Sequence, residues 1–119
     1  MKRRRPEDEI QRAVFQHLKA RAAKKVFYFH PFNGGYRRPI EAAITKGLGV
    51  RAGVPDIIAI RAGQVFGLEL KANGGKVSAS QIEVQDLMQC AGAVTATAYG
   101  LDGALRWLEQ HGILQGRAQ

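Results

Sequence analysis

Three charged residues stand in a stretch that should otherwise be apolar. From Gly53 to Lys71 the chain reads Gly-Val-Pro-Asp-Ile-Ile-Ala-Ile-Arg-Ala-Gly-Gln-Val-Phe-Gly-Leu-Glu-Leu-Lys. Ile57, Ile58 and Ile60 form one β-rich run, and Val65, Phe66, Leu68 and Leu70 form a second. Ala62-Gly63 between them suits a two-residue hairpin turn. Pairing residue 60 with 65 and stepping outward sets Asp56 opposite Glu69. Cross-strand partners share a face, as do residues two apart on one strand, so Asp56, Glu69 and Lys71 gather on one side. Two adjacent carboxylates repel unless a positive charge lies between them. A divalent cation would meet that need, with Lys71 beside it. A solvated edge hairpin with ordinary surface charges has the same spacing, so spacing alone leaves both readings open.

The elements around this hairpin follow from punctuation and periodicity. Residues 1–6 read as a basic arm ending at Pro6. A helix is predicted from about Glu7 to Ala23: Pro6 suits its start, Glu7, Asp8 and Glu9 suit its positive dipole end, and Ile10, Val14 and Leu18 keep helical spacing. Glu7 closes the end of that apolar stripe, with Glu9 as the alternative acid. Val26 to His30 is a strand that Pro31 ends. Asn33-Gly34-Gly35 is a turn, and Tyr36-Arg37-Arg38-Pro39 is a basic loop with an aromatic residue, a mixture that suits nucleic acid. Ile40 to Lys46 is a short helix closed by Gly47 and Gly49. Ser78 or Ser80 caps a helix running to about Ala91, stopped by Gly92. Val94 to Tyr99 is a further strand, and Leu101 to His111 an amphipathic helix with Leu101, Leu105 and Leu108 on one face. The order α-β-α-ββ-α-β-α predicts an α/β fold, a mixed central sheet flanked by helices.

The totals bound the function. One domain with a modest core suits 119 residues. No window has the apolar length of a membrane span, and no signal peptide is legible. The single cysteine, Cys90, forms no internal disulfide and predicts a buried position in a cytoplasmic protein. Eighteen Lys and Arg against ten Asp and Glu give a formal charge of +8, which points to a polyanionic partner. Arg37, Arg38, Lys46 and Arg51 concentrate that charge just before the hairpin.

These residues together are recognisable. The chain resembles the VRR-NUC branch of the PD-(D/E)XK nuclease superfamily through Gly53-Val54-Pro55-Asp56, Glu69-Leu70-Lys71 and Ser78-Ala79-Ser80-Gln81. Glu7-x-x-Ile10-Gln11, His30-Pro31-x-Asn33-Gly34-Gly35 and Val50-Arg51-Ala52-Gly53 carry it further, over roughly residues 7–111. Residues 112–119 remain as a short tail. Pro-Asp followed by Glu-x-Lys recurs by chance, but the full ordered set is specific.

The resemblance implies a restriction-endonuclease-like core of the stand-alone form found in phages and bacteria. It implies a metal-dependent phosphodiesterase acting on DNA, with branched molecules such as four-way (Holliday) junctions as substrates. Asp56, Glu69, the Leu70 carbonyl and Glu7 would hold Mg²⁺, with Mn²⁺ as a substitute. Lys71 would serve the attacking water and the phosphate, and Gln81, or Gln85 one turn later, would position them. Asn33, Arg37, Arg38, Lys46 and Arg51 would meet the nucleic acid, and a homodimer would pair two sites. Two other classes stay open: a non-catalytic nucleic-acid-binding module of the same fold, and a nuclease of linear DNA ends or RNA.

Overall fold

The computed structural model describes residues 6–31 and 39–116. Helix α1 spans Pro6–Arg21 and buries Val14 and Leu18. It stops two residues short of its predicted end. Ala22 is drawn into a bridge with Leu114, and Lys25, at φ 62, turns the chain into strand β1, Val26–Phe29. Helix α2 spans Pro39–Gly47. Strands β2 (Ile57–Arg61) and β3 (Gln64–Lys71) form the hairpin. Helix α3 is Ala79–Cys90, strand β4 is Val94–Tyr99 and helix α4 is Gly100–Gln110.

The sheet order is β1-β2-β3-β4. The first three strands are antiparallel, and β4 joins β3 in parallel after the α3 crossover. One sheet face carries Ile57, Ala59, Phe66, Leu68, Leu70 and Ala98 into a single core with Val14, Leu18, Ala104, Leu105 and Leu108. Helices α1 and α4 cover that face. Ile113 is fully buried and Leu114 nearly so, so packing runs past the His111 boundary read from the sequence.

The other face carries Asp56, Glu69 and Lys71. Helix α3 covers its β3–β4 half through Met88 over Gly67 and through a glutamine row: Gln85 Nε2 donates to Thr97 Oγ1 at 3.1 Å and Gln89 Nε2 to Thr95 Oγ1 at 2.6 Å. This polar seam sets how α3 is rotated over the sheet. Val84 is buried, yet Ile82 and Leu87 are half exposed, and Cys90 is exposed rather than buried as its neighbours suggest. No helix among the described residues is long and apolar enough to cross a membrane.

Candidate active site

The hairpin turn sets the geometry of the site. Ala62 and Gly63 have φ 50 and 81, the two left-handed residues a type I′ turn requires. Ile60 faces Val65 and Ile57 faces Leu68 in the register the sequence predicts. The ladder ends at that pair, and the chain bends at Asp56, whose N–H donates to the Glu69 carboxyl. The two carboxyl groups therefore still lie side by side, as the sequence register predicts.

Glu69 is 3% exposed, a buried charged residue in an otherwise apolar strand. Burial, and then the Asp56 carboxylate beside it, push its carboxyl from the ordinary 4.5 up to about 8, while Lys71 pulls the other way. Asp56 is half-buried, and its Oδ2 accepts from the Leu70 N–H at 2.9 Å. Pro55 is buried over Gly67, where an added Cβ would meet its Cγ at 3.1 Å, so the chain enters β2 across the sheet face beneath α3.

Gln81 Nε2 donates to Glu69 Oε2 at 2.9 Å. A capping box holds that glutamine: its Oε1 accepts from the Ser78 N–H at 2.8 Å, and Ser78 Oγ accepts from the Gln81 N–H at 3.2 Å. Ser78 is therefore the cap, and Gln81 rather than Gln85 reaches the carboxylates. Glu7 Oε2 accepts from the Ala72 N–H at 3.2 Å, tying the first turn of α1 to the residue after Lys71. Glu7 is half-buried there, and Glu9 is exposed. Lys71 is half-buried, and Gly75 packs beside it: a Cβ at 75 would lie 3.5 Å from Lys71 Cβ and Cδ.

Lys46 and Arg51 are exposed, at the end of α2 and in the segment that leads to β2. Asn33, Arg37 and Arg38 lie outside the described residues, as do residues 1–5 of the basic arm. Two contributors escape a reading by residue type. Gly53 has φ +88, and a Cβ on it would fall 2.4 Å from the Ser80 carbonyl oxygen, so the strand entry passes directly against the first turn of α3. His30 lies with its Nδ1 2.7 Å from the Asp56 carbonyl oxygen.

Among the described residues, no three His, Cys, Asp or Glu side chains form a closed metal cage. Two carboxylates with the Leu70 carbonyl next in sequence make an open set of hard oxygen donors. Mg²⁺ fits such a set, because it is usually held by one or two carboxylates and completes its shell with water and substrate phosphates.

A four-stranded mixed sheet flanked by helices, with this carboxylate pair at the end of its hairpin, is an α/β fold of the restriction-endonuclease-like kind. No protein-family model and no curated protein matches the sequence. A solved structure described as a VRR_NUC domain protein superposes with a TM-score of 0.74 at 25% identity, covering 92% of this chain and 89% of the other. The chain carries a VRR-NUC domain, a nuclease-type domain.

Proposed function

We propose that this domain is a divalent-ion-dependent DNA endonuclease, with branched molecules such as four-way junctions as its substrates. The observation that carries the reading is Glu69, a carboxylate buried to 3% exposure and paired across the hairpin with Asp56. A binding module gains nothing from a buried acid whose charged form is opposed by burial and by a second acid. A site for a cation and a phosphate does.

Asp56, Glu69 and the Leu70 carbonyl would hold Mg²⁺ or Mn²⁺, with Glu7 at the margin of the set. Bound there, the ion supplies positive charge at the scissile phosphate and acidifies water. The protein's own groups do the rest. Gln81 donates to Glu69 Oε2 and so fixes the direction of that carboxylate. Lys71 donates N–H bonds to the phosphate oxygens as negative charge builds there. The formal charge of +8 draws the nucleic acid in, with Lys46 and Arg51 near the hairpin entry and Arg37 and Arg38 in the preceding basic run.

The likeness to VRR-NUC proteins supports branched DNA and a homodimer with two paired sites. Exposed apolar side chains also suit a second copy: Phe27, Ile44 and Leu48 are 63%, 59% and 80% exposed. The test is to incubate the pure protein with linear, nicked, flap and four-way DNA in Mg²⁺, Mn²⁺ or EDTA. Cleavage of four-way DNA in Mg²⁺ and none in EDTA is expected. Undiminished cutting in EDTA removes the metal from the reading, and no cutting of any substrate leaves the binding module.

A further inference from the structure

We infer that His30 is a positioning residue for the candidate metal ligand Asp56, acting through the peptide of that residue rather than through its carboxylate. The inference rests on the nuclease reading above and names a part that neither the motif nor the family likeness assigns.

Arg61 and Gln64 flank the two-residue turn, so Arg61, Ala59 and Ile57 turn their backbone N–H and C=O groups toward β3. Ile60 and Ile58 then turn theirs toward β1, where Ile60 meets Phe27 and Ile58 meets Phe29. The β1–β2 ladder stops there, and Pro31, two residues beyond Phe29, has no N–H to extend it. The Asp56 carbonyl lies past the last ladder pair, at the residue whose side chain must be aimed best. His30 supplies the donor instead: its Nδ1 lies 2.7 Å from that oxygen. A carbonyl only accepts, so Nδ1 carries the hydrogen.

The contact completes a clamp on Asp56. The carboxylate is held from the β3 side by the Leu70 N–H at 2.9 Å, and the peptide from the β1 side by His30 at 2.7 Å. β2 begins only at Ile57, so the Asp56 carbonyl lies outside the strand ladder, while the Asp56 N–H is taken by the Glu69 carboxyl. The His30 ring is exposed, so core packing does not account for a histidine here. Groups of this kind, one bond removed from a ligand, commonly change metal affinity or activity by about 10–100-fold when lost.

The test compares His30→Ala, His30→Asn and His30→Gln. An asparagine amide nitrogen falls near the place of Nδ1, and a glutamine amide nitrogen near that of Nε2. Mn²⁺ binding to the free protein is measured by calorimetry, unfolding temperature is measured in EDTA, and four-way DNA cleavage is measured against Mg²⁺ concentration. Expected is a Mn²⁺ affinity about tenfold weaker in His30→Ala, restored by His30→Asn and not by His30→Gln. The half-saturating Mg²⁺ should rise by a similar factor with little change in the limiting rate. The unfolding temperature should fall by no more than about 4 °C, given an exposed ring and one hydrogen bond of about 1 kcal/mol.

Wild-type Mn²⁺ affinity in His30→Ala overturns the inference, as does rescue by glutamine alone, which would put the working nitrogen at Nε2. A large, equal fall in unfolding temperature for all three variants also overturns it, since His30 is then merely structural. Failure of the nuclease reading looks different: the wild type and Asp56→Ala would bind Mn²⁺ alike.

Discussion

At the scale of single residues the site is a balance of like charges. Glu69 titrates near 8 in the folded chain against an ordinary 4.5, so the folded state holds its proton more tightly than the unfolded state does. Stability from that proton is fully present below about 4.5 and is lost as pH rises through about 8. In EDTA the unfolding temperature should therefore fall between pH 5 and 8. Glu69→Gln should flatten the fall, and Mg²⁺ should reduce it by favouring the charged carboxyl. A melting temperature that is flat or rising over this range in EDTA would contradict the burial argument. Lys71 favours the charged form of Glu69 and shares its face. Lys71→Ala should slow single-turnover cleavage by about 100–1000-fold, the usual loss for one group acting on transition-state charge. DNA affinity in Ca²⁺ should stay within about threefold, because the group acts in turnover more than in binding. Cleavage at the wild-type rate would move the site elsewhere.

At the scale of elements, the site depends on how closely β2 enters beneath α3. Gly53 makes that approach: its φ is +88 and a Cβ there would strike the Ser80 backbone at 2.4 Å. Gly63 is the control, with φ +81 and nothing within 4 Å of an added Cβ. Gly63→Ala should cost about 1 kcal/mol, from left-handed backbone alone. Gly53→Ala carries the same strain and must also displace the first turn of α3, which holds Gln81 on Glu69. Its loss should be about twice as large, roughly 8 °C in melting temperature for a domain of this size. Mn²⁺ binding should weaken in Gly53→Ala and not in Gly63→Ala. Equal melting temperatures for the two variants would remove the close approach from the account.

At the scale of the whole molecule, helices α1 and α4 cover one sheet face and α3 covers half of the other. The β1–β2 half keeps Phe27, Phe29 and Ile60 exposed, and Ile44, Leu48 and Val50 are exposed on and after α2. Exposed apolar side chains in such number suit a second copy related by a two-fold axis. Light scattering should give a dimer at micromolar concentration, and Phe27→Asp with Leu48→Asp should give a folded monomer. A monomeric wild type that still cuts four-way DNA would leave the dimer without a role.

Much of this was legible in the chain because it rests on local rules. The hairpin register follows from Ala62-Gly63 and the flanking β-branched runs, and register alone puts Asp56, Glu69 and Lys71 on one face. Caps and stops are likewise local, as with Ser78 and Gln81 at the head of α3 and Gly92 after its end. What tertiary structure decided was which polar groups lose water and which surfaces meet. No pattern in the sequence of α3 shows that a glutamine row, rather than Ile82 and Leu87, faces the sheet, because the sheet beneath it offers Glu69, Thr97 and Thr95. Cys90 is exposed for the same reason, since the helix is rotated by what its glutamines can bond. Ile113 and Leu114 join the core only because α1 ends where it can receive them. His30 and Asp56 are far apart in sequence, and only the pairing of β1 with β2 brings the histidine to the Asp56 carbonyl.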